Sequence, residues 1–354
     1  MLADRAQPRS VAVFRALQLG DLLCAVPALR ALRRALPDAR VTLVGLPWAR
    51  AFTGRFHEYV DDFVAFPGAP KLPEQACDVA RLPAFFADMH ARRFDLALQM
   101  HGNGVHTNAI VARFGARQIA GFHLADEPVP DARSFLPYPQ HLHEIRRNLR
   151  LVEFLGMPAQ GEALEFPLTA DDHDELATIP EAARLVPRRY VCLHPGARNP
   201  AKRWPVERFA RLGDLLHGRG YDVVLTGSAA ERPIAEAVAA AMRAPSHNFA
   251  LPVSIGALAA LLAGARLLVT NDTGVSHVAV GLHLPSVVIF FATDPGQWAP
   301  LDARLHRTVH HPVDVDVANV RAAALQLLAD TDGHMRATAH AERADVRPAA
   351  RDRA

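Results

Sequence analysis

The chain has 354 residues, of which 50% are hydrophobic and 21% charged, and its formal net charge is +2. Two globular domains of ordinary size fit this length and composition, and so small a net charge gives no reason to expect a nucleic-acid partner. The three cysteines lie far apart, which argues against a disulfide framework, and no secretory signal or transmembrane segment is evident. We therefore expect a cytoplasmic protein.

Strands and helices alternate through the first half of the chain. Apolar runs and helical periods predict strands at 10–16, 40–46, 60–66, 94–100 and 118–122, and helices at 22–36, 83–92, 105–114 and 140–155. Pro27 lies inside the first predicted helix, so we expect its first turns to be irregular.

Two polar positions follow strands of this half. Asp21 comes where the first strand ends and the helix begins, so it is either a helix N-cap or a general base that takes a proton from a substrate hydroxyl. Asn103 follows a later strand and is a weaker candidate for the same ligand site. His101 and His106 are also nearby, but their separation is not a known metal-ligand spacing.

The alternation repeats after a proline-rich boundary at 156–187. Strands are predicted at 189–193, 221–226, 267–269 and 287–291, with helices at 206–218, 231–242, 254–263 and 276–282. This order predicts an α/β protein with two doubly wound, Rossmann-like halves that face a central cleft.

Lys202 lies in the loop that follows the first strand of the second half. The chain contains only one other lysine, Lys71, although it is rich in arginine. A compact ammonium group suits a phosphate where the guanidinium fork of arginine does not fit. This favours a phosphate-binding role for Lys202.

The turn Asn271-Asp272-Thr273-Gly274 connects a predicted strand to a helix of small residues. The free N–H groups at such a helix start favour an anion, and His277 follows about one turn later. The alternative is an ordinary turn in which Asp272 is the N-cap and His277 is a packed core residue.

The end of the chain offers one more motif. Asp314 and Asp316 form a DxD sequence that could bind a divalent metal, but Asp316 is read more simply as the cap of a final helix. The segment 331–354 has few large apolar residues, so we expect a disordered tail.

Three motifs in this order resemble glycosyltransferase family 9, which comprises the lipopolysaccharide heptosyltransferases and their relatives. They are Gly20-Asp21 after the first strand, HPGxxxxxKxWP at 194–205 and NDTGxxH…TDPxxW at 271–298. The resemblance implies a GT-B fold, with an acceptor-binding domain at 1–165 and a nucleotide-sugar-binding domain at 166–330.

The resemblance also assigns roles to residues. Asp21 corresponds to the catalytic base and Lys202 to the lysine that binds the pyrophosphate of the donor. The remaining donor-binding candidates are Gly20, Ala197, Arg198, Glu231, Val253, Asp272, Thr273, Gly274 and His277. Ala197 and Arg198 stand where heptosyltransferases often have threonines, and Gln18-Leu19 stand where they have small hydroxyl residues.

The implied reaction is inverting and metal-independent transfer of a heptose from a donor of the ADP-heptose type to a lipopolysaccharide core or related glycan, with no cofactor. Because such an acceptor lies at the inner face of the cytoplasmic membrane, we also expect peripheral membrane contact. Residues 1–155 carry 19 Lys and Arg against 15 Asp and Glu, which suits an anionic partner.

Two other functions remain open. A GT-B-fold sugar-nucleotide epimerase would act on the nucleotide sugar without an acceptor. A non-catalytic member would bind nucleotide sugars or glycans without turnover. A dehydrogenase is a poor interpretation, because no G-x-G-x-x-G follows the first strand.

Overall fold

A computed structural model describes residues 7–310 and 315–345, with only the backbone of 332–345. It divides into two compact units. One extends to Thr169 and includes Gly296–Trp298, and the other comprises Ala170–Pro295 and the residues from Ala299 onward. The assignment of acceptor binding to 1–165 and of donor binding to 166–330 stays a prediction.

The first unit contains one parallel sheet of six strands in the order β3-β2-β1-β4-β5-β6. Its strands are β1 (Ser10–Phe14), β2 (Arg40–Gly45), β3 (Asp62–Ala65), β4 (Leu96–Gln99), β5 (Gln118–His123) and β6 (Phe135–Pro137). Its helices are α1 (Leu19–Ala35), α2 (Arg50–Arg55), α3 (Leu82–Ala91), α4 (Thr107–Ala112) and α5 (Glu144–Phe154).

The second unit repeats this arrangement with the order β12-β11-β10-β7-β8-β9, again parallel. Its strands are β7 (Tyr190–His194), β8 (Asp222–Gly227), β9 (His247–Ala250), β10 (Leu267–Asn271), β11 (Ser286–Phe290) and β12 (His306–His310). Its helices are α6 (Ala170–Ala177), α7 (Val206–His217), α8 (Arg232–Ala241), α9 (Ile255–Gly264), α10 (Gly274–Gly281) and α12 (Val317–Asp345). The one-turn helix α11 (Pro295–Trp298) comes between α10 and α12 in the chain, and its last three residues belong to the first unit.

The central strands of both sheets are buried throughout, because helices cover each sheet face and a parallel strand then needs a continuous apolar run. In the first unit the core is aromatic: the Phe14 ring meets those of Phe66 and Phe114 edge-on, at centroid distances of 5.0 and 5.9 Å. The predicted α/β class with two doubly wound halves is confirmed.

Each unit has the strand order of a doubly wound sheet. The chain adds strands on one side of the first strand and then crosses over to add the remaining strands on its other side. In the first unit this crossover lies between β1 and β4, and in the second between β7 and β10. The carboxyl ends of strands at such a switch point form the usual ligand site of open α/β sheets. We therefore expect the functional residues to lie in the loops after these four strands.

The predicted elements of the two sheets need correction in two respects. The first helix begins at Leu19 and is helical from its first turn, with Pro27 in its interior, whereas irregular first turns were expected. The strands β6, β9 and β12 were not predicted. β6 has only three residues, β9 and β12 contain polar residues, and all three strands lie at sheet edges, where no continuous apolar run is required.

The end of the chain also differs from expectation. The backbone of α12 is helical as far as Asp345, where a disordered tail was expected from residue 331. Alanine, arginine and glutamate favour helix, so such a segment can continue a helix without apolar residues. Asp316 accepts a hydrogen bond from the Asn319 N–H at 2.8 Å, which confirms it as the cap. Asp314 lies outside the described residues.

Candidate functional site

Lys202 and Asp272 meet at the switch point of the second unit. Lys202 ends a short 3₁₀ turn in the loop after β7, and Asp272 directly follows β10. The Lys202 ammonium donates to Asp272 Oδ2 at 2.7 Å. Lysine has three N–H donors, so this contact leaves others for a phosphate while fixing where the ammonium stands.

Asn271 connects the two loops that carry this pair. Its side-chain amide donates to the main-chain oxygens of Pro195 and Gly196, at 2.9 and 3.2 Å, and its carbonyl oxygen accepts the Trp204 N–H at 2.9 Å. Asn271 is fully buried, so these bonds are protected from competition with water. Sequence reasoning did not assign Asn271 a role, although it begins the turn motif.

Asp272 is not the helix N-cap that the alternative interpretation required. The cap of α10 is Thr273, and the Asp272 carboxylate instead accepts from Lys202 and from the Thr293 hydroxyl, at 2.7 and 2.6 Å. Gly274 opens the helix two residues after Asp272, so the N–H groups of its first turn follow this carboxylate in the chain. His277 is buried in the same helix.

Glu231 lies beside the loop after β7. Its Oε2 accepts from the Ser228 N–H and hydroxyl at 2.9 and 2.8 Å. A Cβ on Gly196 would stand 2.4 Å from the Glu231 carboxyl carbon, so only glycine allows this approach. Burial lowers the pKa of His194, and Glu231 offsets this only in part, so the imidazole is neutral at pH 7.

The remaining donor-binding candidates occupy the same sheet edge. Ala197 is buried, and its carbonyl accepts from Arg203 Nε at 2.9 Å, while Arg198 is exposed. Val253 is half-buried in the segment after β9. Because β7, β8, β9 and β10 are parallel neighbours, the segments after them share one edge of the sheet. Donor binding by these residues stays a prediction.

Asp21 lies at the switch point of the first unit, in the first turn of α1 just after the buried Gly20. The N-cap is Gln18, and Asp21 is the third helical residue. Its carboxylate accepts the Gln18 N–H at 3.2 Å as half of a capping box. Asp21 as a whole residue is half-buried, while its carboxyl group is buried deeply enough to raise its pKa.

Asn103 does not contact this carboxylate. Its side-chain oxygen accepts the Val105 N–H at 3.2 Å and shapes the loop after β4. His101 in that loop is better placed, because its Nδ1 accepts the Ala16 N–H at 3.2 Å. A role for Asn103 in acceptor binding stays a prediction.

A set of buried charged side chains contacts the main chain of Asp21. The Arg15 guanidinium donates through Nε to the main-chain oxygen of Asp21 at 2.9 Å and through Nη2 to Glu144 Oε1 at 2.8 Å. Burial raises the pKa of Asp21 above its ordinary value of 3.8, and Arg15 opposes that rise. A carboxylate with a raised pKa is a stronger base, which suits proton transfer.

The sequence did not reveal this set. Arg15 and Glu144 are far apart in the chain and follow no shared period. The one available signal was an arginine directly after an apolar strand.

The described residues contain neither a cluster of metal ligands nor a membrane-spanning helix. In this part of the chain, no group of three or more His, Cys, Asp or Glu side chains could hold a metal ion. Across 7–310 and 315–345, none of the helices combines the length and apolarity of a membrane span.

Comparison with known proteins identifies the family. Residues 83–313 match the sequence profile of glycosyltransferase family 9 (heptosyltransferase). The chain belongs to this family.

The relatives of this glycosyltransferase are heptosyltransferases. It is 35% identical over 310 residues to lipopolysaccharide heptosyltransferase 2 of Salmonella typhimurium strain LT2, an alignment that covers 82% of this chain and 86% of that protein. It is 31% identical over 146 residues to lipooligosaccharide heptosyltransferase 2 of Haemophilus influenzae, covering 40% of this chain and 42% of that protein.

Solved structures share its fold. A glycosyl transferase family 9 structure from Veillonella parvula superposes with a TM-score of 0.77 at 20% identity, covering 91% of this chain and 98% of that one. The Escherichia coli heptosyltransferase WaaC, solved with ADP, has a TM-score of 0.70 at 21% identity, covering 90% and 99%. These structures confirm the expected GT-B fold. The family match and the sequence relatives show that the chain is a glycosyltransferase.

Proposed function

We propose that this enzyme transfers a heptose from an ADP-heptose donor to a hydroxyl of a lipopolysaccharide core or related glycan, with inversion and without a metal. The Lys202–Asp272 pair at the switch point of the second unit is the observation that carries the proposal. It fixes one ammonium on the residue that lies two positions before α10 begins, and an ammonium near the N–H groups of a helix start suits a diphosphate. WaaC, a structural neighbour, was solved with ADP.

Asp21 is the base in this mechanism. Its carboxylate takes the proton from the acceptor hydroxyl while that oxygen attacks the anomeric carbon. The bond from this carbon to the diphosphate breaks on the opposite face, so direct displacement inverts the configuration. A positioned base contributes about 10²–10⁴-fold to such a step.

Lys202 and the first-turn N–H groups of α10 stabilise the leaving diphosphate. The charge that develops on the departing oxygen meets an ammonium already held by Asp272, so little reorganisation is needed. These groups supply the positive field that a divalent cation supplies in other enzymes, which is the basis for proposing metal independence.

The acceptor-dependent release of ADP from ADP-heptose tests this function. We expect release by the wild type with truncated lipopolysaccharide, unaffected by EDTA, and a loss of about 10²-fold or more in Asp21→Ala and Lys202→Ala. Lys71→Ala is the matched control, because it removes the other, exposed lysine.

Other outcomes identify the alternatives. Turnover without acceptor would indicate an epimerase, and binding of ADP-heptose without turnover would indicate a non-catalytic member. Loss of activity with EDTA, restored by a divalent metal, would contradict metal independence. Retention of the anomeric configuration in the product would contradict direct displacement.

A further inference from the structure

Arg15 is one of the largest fully buried side chains in the described chain, at 1% exposure. It follows β1 directly and lies in the interior of the first unit, where a charged group is costly unless it is paired. Neither the family motifs nor the proposed mechanism gives it a task.

The Arg15 guanidinium is held on every side. Besides its bonds to Asp21 and Glu144, Nη1 donates to the Asn148 side-chain oxygen at 3.1 Å and to the main-chain oxygen of Met100. Asn148 itself donates to the Glu144 main-chain oxygen at 2.8 Å. A planar fork with donors on three nitrogens meets all these acceptors at once, which an ammonium could not do.

The charges of this set balance only when Asp21 is included. Glu144 accepts from Arg15 through one carboxylate oxygen and from Arg147 through the other, and all three side chains are buried. Two arginines and one glutamate leave one positive charge uncompensated. An ionised Asp21 brings the sum to zero.

A stabilising ion pair is the simpler interpretation. Buried pairs, however, seldom stabilise more than apolar residues of the same size. The Arg15 guanidinium also donates to the main-chain oxygen of Asp21, the residue proposed as the base. An ion pair that only stabilises the fold would not need a hydrogen bond to the main chain of Asp21.

We propose that Arg15, held by Glu144, is a positioning residue that keeps the Asp21 carboxylate ionised and fixes the helix turn that carries it. This inference rests on the proposed role of Asp21 as the base. Other titratable or charged groups that act on this set are Arg147 from α5, His101 after β4 and Tyr138 after β6.

Arg15 and Glu144 carry opposite charges and therefore shift the pKa of Asp21 in opposite directions. Burial raises the pKa of Asp21, Arg15 lowers it and Glu144 raises it. Burial also opposes ionisation of Glu144, but Arg15 and Arg147 outweigh it and lower the pKa of that carboxyl. Removing Arg15 or Glu144 should therefore shift the ionisation of Asp21 in opposite directions.

The test is a carboxyl ¹³C NMR titration of Asp21 in the full chain, with Asp21→Asn identifying the signal. In Arg15→Met we expect its titration midpoint to rise by about one pH unit or more. In Glu144→Gln we expect it to fall. Glu162→Gln is the matched control, because Glu162 forms only an exposed pair with Arg146, and it should leave the midpoint unchanged.

The double variant Arg15→Met/Glu144→Gln controls for unfolding caused by a single unpaired buried charge in the single variants. It removes one charge of each sign, so its midpoint should return toward that of the wild type. An unchanged midpoint in Arg15→Met, or shifts in the same direction in both single variants, would overturn the proposal.

The pH profile of kcat/KM separates this proposal from the proposed function. If Asp21 is the base, the acidic limb of each profile follows the NMR midpoint of that variant. A midpoint that shifts as expected without a shift of the acidic limb would support the role of Arg15 and contradict Asp21 as the base. If Arg15 only supports the fold, its replacement should lower activity at all pH values without moving the NMR midpoint of Asp21 or the acidic limb of the pH profile.

Discussion

At the residue scale, the candidate site consists of polar groups that are each held in place by hydrogen bonds. Lys202 is held by Asp272, Asp21 by Gln18 and Arg15, and Glu231 by Ser228. The sequence motifs pointed to Lys202, Asp21 and Glu231, and the roles assigned to them stay predictions. The motifs could not predict Arg15, because its partners come from strand ends and a helix that only the fold brings together.

The raised pKa of Asp21 has a consequence for stability. The folded state holds the proton of this carboxyl more tightly than the unfolded state does, so the ionised form costs folding free energy at neutral pH. That cost disappears as the pH falls toward 3.8, where both states become protonated.

We therefore predict that Asp21→Asn raises the thermal unfolding midpoint at pH 7, with a gain that shrinks as the pH approaches 4, while activity falls by about 10²–10⁴-fold. Calorimetry across this pH range measures the effect. A variant less stable than the wild type at pH 7 would show that the capping contact outweighs the cost of burial.

At the scale of elements, function lies in the loops after β1, β4, β7 and β10. Most strands and helices were predictable, because buried parallel strands need unbroken apolar runs and the helices have apolar periods. The edge strands β6, β9 and β12 carry neither signal, and their pairing depends on neighbours remote in sequence. The close approach of Gly196 to Glu231 was equally invisible in the sequence.

This approach predicts the effect of Gly196→Ala. The added Cβ would displace the Glu231 carboxylate, and the loss of one hydrogen-bonded contact of about 1 kcal/mol would raise the KM for the donor by roughly five- to tenfold. We expect a smaller change in kcat. Steady-state kinetics with varied donor measures both.

Gly218→Ala is the matched control, since the nearest atom to its added Cβ is 3.4 Å away, in ordinary contact range. An unchanged donor KM in Gly196→Ala would contradict the placement of Glu231 at the donor site.

At the scale of the whole molecule, the chain repeats one topology twice, and each copy places polar groups at its switch point. The mild excess of basic residues in 1–155 agrees with a proposed peripheral contact with an anionic membrane surface. We predict binding to vesicles that contain anionic phospholipid at low salt, weakened as ionic strength rises. Co-sedimentation measures it, with neutral vesicles as the control, and no binding at low salt would contradict the contact.

The central claim is a division of roles between two residues, in which Lys202 holds the leaving diphosphate and Asp21 takes the proton from the acceptor. The most direct test is the single-turnover rate of heptose transfer by Asp21→Asn, measured beside its affinity for ADP. We predict a rate lower by about 10²-fold or more with the affinity for ADP unchanged. Transfer at the wild-type rate, or a loss explained entirely by weaker ADP binding, would contradict it.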